Sequence, residues 1–335
     1  MGTVPSVNIN PNGGTYSSSL DGWTYDSDSK IYSMKGVEIT LPAAPTAPTG
    51  KEFVGWEYGT QVKQPGDVIT PSDGANITYT AKYESLKYTV SFDVMSHGTA
   101  PDSLTNVEYG TTITEPTEPS EKGYTFEGWY KENAHINAWD FDTDTIKEAT
   151  ILYAKWTANT YDVTFDKNGG DTEADSKIIS ETYDSKYTLP TTAPTKTGYT
   201  FAGWFTDATE GTQVTAETDV TITETQTLYA HWTSNAYTIA YYDQGGDAFT
   251  GTHESGYATE HTYGTDTALK SATKTGYAFG GWYTSSDCSG SAITSLGATE
   301  YNTEINLYAK WTEGMMWDLY FSFIILYLTL LPLKM

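Results

Sequence analysis

A mainly β chain with little helix, laid out as four tandem copies of one small unit, is what this sequence predicts, and three observations carry that reading. Gly-Trp pairs recur at Gly55-Trp56, Gly128-Trp129, Gly203-Trp204 and Gly281-Trp282, spaced 73, 75 and 78 residues apart. A second block recurs in step: TAKY ending at Tyr83, YAKW at Trp156, YAHW at Trp232 and YAKW at Trp311. The composition agrees with a folded β protein. Aromatic residues make up 14% of the chain, enough apolar area to bury a core. Thr, Tyr and Trp favour pleated, half-buried surfaces, while Gly and Pro punctuate turns.

Each unit opens on a strand, written YTVSFD from Tyr88, YDVTFD from Tyr161 and YTIAYYD from Tyr237, with a worn version, SVNINPNGG, in the first unit. Tyr161, Val163 and Phe165 alternate with Asp162 and Thr164, the period of two of a half-buried strand. Asn168-Gly169-Gly170 then turns the chain, because Gly tolerates positive φ. The second unit has Ser96-His97-Gly98 there, which leaves its first turn undetermined. In the centre, KTGYTFAGW places Tyr199, Phe201 and Gly203 on one side of an extended segment and Trp204 on the other. Gly203 marks a bulge or a close approach of another element. In the closing block Leu228, Ala230 and Trp232 share one face, and Tyr229 and His231 the other. Stretches such as LPTTAPTKTG leave room for no more than a short helical turn per unit. The connections, Glu84 to Lys87, Thr157 to Thr160 and Ser234 to Ala236, are short enough to restrict motion between units. Four compact units of this size in a row make a monomeric rod on the order of 100 Å long.

These three blocks resemble the Listeria–Bacteroides repeat, also called the internalin B-repeat, over nearly all of residues 5–312. The third unit, with YDVTFDKNGG, KTGYTFAGWF and TLYAHW, matches most fully. The resemblance implies β-grasp-like modules at 5–84 (divergent, with an insertion containing Trp23), 88–157, 161–233 and 237–312, followed by an apolar tail at 313–335. It further implies a surface-exposed, usually cell-wall-associated bacterial protein. Such arrays extend a larger binding domain from the envelope and take part in adhesion, without enzymatic activity. The expected function is therefore an extracellular stalk or adhesin segment. The alternative is a multivalent carbohydrate- or mucin-binding array, in which weak contacts multiply through repeated sites. The partners expected are host or cell-surface glycans or proteins.

Charge narrows the partners further. Eighteen basic residues against 43 acidic ones give a net charge of −25, and every basic residue is lysine. Without arginine's planar fork, and with this much negative charge, nucleic acid is excluded as a partner. No catalytic set, cofactor or metal site is expected. His231 stands where the other closing blocks carry Lys82, Lys155 and Lys310, a solvent-facing position. His97, His135, His253 and His261 are scattered among loops in no ligating pattern. The run Asp140-Phe141-Asp142-Thr143-Asp144 opens like a calcium loop, but Thr145 and Ile151 stand where an EF-hand needs Gly and Glu. The 43 carboxylates make some close pairs inevitable, so proximity alone marks no acid–base site. Cys288, the only cysteine, reads as a partly exposed, unreactive thiol with acidic neighbours. No Lys–Asn pair can be assigned as an intramolecular isopeptide bond. The repeated tryptophans read as core, whereas Trp23 and Trp139 lie outside the repeated set and are candidate glycan contacts.

Two end segments complete the reading. Residues 1–30 lack the basic and apolar regions of a secretory signal, so a fragment of an exported protein is expected. Leu319 to Leu333 run without a charge, slightly short of the ~20 residues that span a bilayer as a helix. Membrane association through this tail and a truncated gene end are both open, and no LPxTG-like sorting motif precedes the run.

Overall fold

A computed structural model describes residues 3–314 and contains, among them, strands and turns and no helix. The tail expected at 313–335 lies, beyond Gly314, outside the described residues. No helix among the described residues is long and apolar enough to cross a membrane. The chain divides into two compact units, one ending at Asn159 and one starting at Thr160.

The first unit holds two principal sheets. In the second of them the opening strand Lys87–Asp93 pairs antiparallel with Leu104–Glu108 on one side and parallel with the closing strand Thr150–Ala158 on the other. The central strand Tyr124–Tyr130 then completes the sheet by pairing antiparallel with the closing strand. Two antiparallel pairs thus meet along a parallel seam. The first sheet repeats this order with Ser6–Asn10 opening, Ile31–Lys35 second, Lys51–Tyr58 central and Asn76–Ser85 closing. It adds Thr24–Asp26 outside the second strand and Gln61–Lys63 outside the central one.

The second unit contains the same arrangement twice. Thr160–Asp166, Ile178–Thr182, Tyr199–Phe205 and Gln226–Ser234 form one sheet, extended by Gln213–Val214. Ala236–Asp243, Glu260–Thr262, Tyr277–Tyr283 and Ile305–Glu313 form the other. Parallel neighbours need a long crossover, commonly a helix. Here the connections run without one, in keeping with their Pro- and Thr-rich sequence.

Burial follows the expected alternation in the outer blocks. Val163 and Phe165 are buried between exposed Asp162 and Asp166, and Leu228 and Ala230 are buried on the closing strand. The central strand departs from it. Its register against the closing strand slips between Phe201 and Gly203, and the same slip falls at Phe53/Gly55, Phe126/Gly128 and Phe279/Trp282. One extra residue on a strand shifts the side-chain phase by one position. Trp204 therefore joins Phe201 on the core side instead of facing away from it, which corrects the strict period-two reading. The Phe and Trp rings meet edge to face with centroids 5.2, 5.4, 5.2 and 5.1 Å apart in the four sheets. Gly203 makes the bulge affordable, since its φ of +131° is one that L side chains rarely adopt.

Four hydrophobic clusters result, and each draws all its members from one sheet's stretch of chain. Trp56, Trp129, Trp204 and Trp282 are no more than 3% exposed. Truncating any one of them to Ala should cost about 3–5 kcal/mol.

Candidate functional site

Within each compact unit the closing strand of one repeat runs almost directly into the opening strand of the next. The closing strand ends at Ser85 and the next opening strand starts at Lys87, so only Leu86 lies between them. In the second unit only Asn235 separates Ser234 from Ala236. These connections are shorter than the sequence suggested, because pairing with each sheet's neighbours extends both strands toward the joint.

The lone residue is bonded to both sides. Leu86 N donates to Gly50 O (2.9 Å), and Leu86 O accepts from Tyr109 N (2.8 Å). Asn235 N donates to Gly198 O (2.9 Å), and its O accepts from Tyr263 N (2.9 Å). A buried or shielded backbone group needs a partner, and here one residue's donor and acceptor are divided between two repeats. Both glycines have positive φ, and both lie under a tyrosine of the following repeat. A Cβ on Gly50 would come within 2.0 Å of the Tyr109 ring, and one on Gly198 within 2.2 Å of the Tyr263 ring. In the second unit Tyr263 also packs edge to face on Tyr199, 5.5 Å between centroids. Thr200 Oγ1 donates to Asn235 Oδ1 at 2.6 Å.

A second recurring device locks each sheet. The carbonyl of the closing-block alanine takes a hydrogen bond in all four repeats, from three kinds of donor. Asn12 Nδ2 donates to Ala81 O (3.0 Å) and Asn168 Nδ2 to Ala230 O (2.9 Å), both from turn residues with positive φ. In the second repeat Met95 and Ser96 take up the positive φ and carry no such amide. There His135 Nε2 stands 3.1 Å from Ala154 O, which requires the Nε2–H tautomer. In the fourth repeat Gln244 N donates to Ala309 O at 3.1 Å. The closing aromatic fastens the same turn: Tyr83 Oη to Pro11 O, and the indole N–H groups of Trp156 to Val94 O, Trp232 to Lys167 O and Trp311 to Asp243 Oδ1.

The candidate titratable groups are absorbed into this framework. Asp140 and Asp144 bond each other's backbone across the loop, and Asp144 pairs with Lys131 at 2.7 Å, so the calcium-like run satisfies itself. No group of three or more His, Cys, Asp or Glu among the described residues is placed to hold a metal ion. His231 is half-buried and stacks on Phe205 at 3.9 Å, where a freely solvated position was expected. His261, assigned to a loop, lies fully buried on the strand Glu260–Thr262, its Nδ1 2.8 Å from Thr267 Oγ1. His253 sits among Tyr257, Phe249, Tyr241 and Trp282, and burial holds its pKa below the ordinary value of 6.5. Burial works to raise the Asp243 pKa, but hydrogen bonds from Thr250, Trp311 and Lys274 outweigh it and hold the carboxyl low. Cys288 is 3% exposed, which corrects the partly exposed thiol of the sequence reading. Its loop folds onto the closing strand, with Sγ 4.0 Å from Tyr308 O, and burial raises its pKa.

The two candidate glycan contacts are not brought together. Trp23 is half-buried against the first core and lines a shallow depression of about 410 Å³ with Met34 and Leu41. Trp139 packs against the second core, its indole N–H buried without a partner and Lys131 Nζ 5.7 Å from its ring. Three tyrosines of the first repeat, Tyr16, Tyr25 and Tyr32, line a deeper cleft that sequence reading missed. Their grouping depends on an added edge strand that no periodicity announces.

The bulged Phe–Trp pair recurs in the stretches that the model of the Listeria-Bacteroides repeat domain matches at 88–155, 161–231 and 237–310, and the joint residue Asn235 falls between two of them. The chain belongs to the Listeria-Bacteroides repeat domain family. Residues 5–84 precede the matched Listeria-Bacteroides repeats and share their strand order. Among relatives carrying similar sequence is a "Putative membrane protein" of Evansella cellulosilytica, 36% identical over 85% of this chain and 42% of its own length. A "Putative Gly-rich membrane protein" of the same organism is 36% identical over 72% of this chain and 26% of its own length. Internalin H of Listeria monocytogenes is 41% identical over 44% of this chain and 25% of its own length. The chain thus spans less than half the length of the curated relatives it matches.

Proposed function

We propose that this chain is a non-catalytic segment of a bacterial cell-surface protein, a tandem array of four β-grasp-like modules that acts as an extracellular stalk. The observation that carries the reading is the joint. One residue, Leu86 or Asn235, supplies a hydrogen bond to the repeat before it and one to the repeat after it. A connection made this way resists bending, and a spacer needs resistance to bending more than any other property. The sequestered tryptophans support the same reading, because the aromatic residues that recur are spent on separate cores. The cell surface is supported by the relatives, two named as membrane proteins and one as an internalin. Adhesion belongs, in this reading, to whatever the stalk carries.

The test is deletion of the third repeat, residues 160–235, from the chain displayed on a bacterial surface with a terminal reporter epitope. A stalk loses reach, measured as the distance of the epitope from the envelope, and keeps its adhesion per molecule. A multivalent glycan-binding array loses adhesion steeply as well as reach, and that outcome would replace the stalk reading.

A further inference from the structure

We infer that the first repeat carries a saccharide-binding cleft that takes a neutral hexopyranoside, with Tyr25 as the stacking platform. This goes beyond the stalk reading and does not depend on it. The first sheet differs from the other three in having a strand, Thr24–Asp26, outside its second strand. The three other sheets form without such a strand, so its side chains are surplus to what the repeat needs to fold. Yet the added strand is built around aromatic rings. Tyr25 lies over Tyr32 at 4.6 Å and 37°, and Tyr32 is braced edge-on by Tyr16 at 5.3 Å and 77°. Tyr16 is itself anchored, its hydroxyl donating to Ala43 O at 2.8 Å, and burial raises its pKa. The stack is thus fixed at its inner end, and its outermost ring, Tyr25, is 50% exposed.

Packing two half-buried tyrosines behind a third and leaving the third open produces a braced aromatic face that loses little entropy on binding. The cleft beside it holds about 660 Å³ and is walled by Asn10, Asn12, Thr15 and Lys30. Asn10 Oδ1 and Asn12 Nδ2 are committed within the protein, to Asn12 N and Ala81 O. That commitment fixes both amides in place and leaves Asn10 Nδ2 as a donor and Asn12 Oδ1 as an acceptor with no partner among the described residues. Lys30 adds a further donor, held in the left-handed region at φ +59°. An apolar face flanked by a fixed donor and a fixed acceptor suits a pyranose, whose C–H face stacks on a ring while its hydroxyls both give and accept hydrogen bonds. The net charge of −25 disfavours an acidic sugar, so the class is neutral.

The experiment is saturation-transfer-difference NMR of the full chain with the methyl glycosides of glucose, galactose, mannose and N-acetylglucosamine. Transfer to at least one glycoside is expected, strongest at the protons of one ring face. Tyr25→Ala should weaken binding by about tenfold, the worth of one aromatic stack, whereas Tyr25→Phe, which keeps the ring, should bind within about threefold of the parent. Tyr25 is exposed, so both variants are expected to fold, and unchanged amide shifts at Val7, Ile9 and Ala81 in the first repeat's own core check this. Absence of transfer from all four glycosides overturns the inference. Transfer that persists undiminished in Tyr25→Ala overturns it as well, and neither result bears on the stalk.

Discussion

Replacing Gly198 by Ala should open the joint between the third and fourth repeats while leaving both repeats folded. Two costs combine. Gly198 has φ +78°, and a residue with a Cβ pays about 1–2 kcal/mol to hold the left-handed region. The added Cβ would also stand 2.2–2.5 Å from three atoms of the Tyr263 ring, so the ring must move by about an ångström or more to reach van der Waals distance. Moving it gives up the edge-to-face contact with Tyr199, worth about 0.5–1.5 kcal/mol, and strains the bond from Tyr263 N to Asn235 O, worth about 1 kcal/mol. The total is about 2.5–4.5 kcal/mol, but it divides unevenly. Backbone strain falls on the third repeat, and the ring and bond losses fall on the joint alone. Hydrogen exchange separates the two, since local opening is read residue by residue. The amides of Asn235 and Tyr263 should exchange about 10–100 times faster, and those of the buried Val163 and Leu228 much less so. In a Tyr263→Ala background Gly198→Ala should add only the strain component, because the clash has no partner left. Unchanged exchange at Asn235 and Tyr263 in the single variant would refute the joint as a source of stiffness.

Four further outcomes follow from the same geometry. Asn168→Ala removes the amide that bonds Ala208 O (2.7 Å) and Ala230 O (2.9 Å) and should lower the urea midpoint of the third repeat by the equivalent of about 1–3 kcal/mol. Glu181 is 2% exposed and burial raises its pKa above the ordinary 4.5, so it destabilises the fold as pH rises through that range. Glu181→Gln keeps the acceptor for Thr188 N and should raise the melting temperature at pH 7 but not at pH 4. His253 has its pKa lowered by burial, so the stability it permits is complete above about 6.5 and declines as pH falls through its folded value. A His253→Phe variant should lose that decline in a tryptophan-fluorescence melt of the fourth repeat. Cys288, buried with a raised pKa, should react with a thiol reagent at pH 8 only at the rate of local opening, and rapidly in urea.

The repeat, the strand-forming blocks and the burial of the recurring tryptophans were legible in the sequence because each depends on spacing along one segment. Val163 and Phe165 alternate with polar neighbours whatever lies across from them. What was not legible depends on partners. The bulge beside Gly203 moves Trp204 to the core face only because the closing strand fixes the register on both sides of it. The one-residue joint arises because pairing extends two strands until nothing but Asn235 is left between them. Cys288 reads as exposed from its Ser-, Gly- and Asp-rich neighbours, and is buried because that loop lies against Tyr308, 20 residues further along.

The alanine carbonyl of the closing block shows how such partner-dependent features persist while residues change. Its demand for a hydrogen bond is the same in all four repeats, since leaving it unmet would cost about 1–3 kcal/mol. The donor is an asparagine amide twice, a histidine ring once and a backbone amide once. Loss of asparagine at Met95 is tolerable because His135 reaches the same oxygen from a loop 40 residues further along the chain. The unit of constraint here is therefore the unsatisfied group and not the residue that satisfies it. It follows that His135→Ala should destabilise the second repeat, although His135 and Asn168 occupy unrelated places in the motif. The effect should be smaller than that of Asn168→Ala on the third, because Asn168 also meets Ala208 O. A histidine replacement with no effect on the second repeat's urea midpoint would show that this carbonyl is instead met by water.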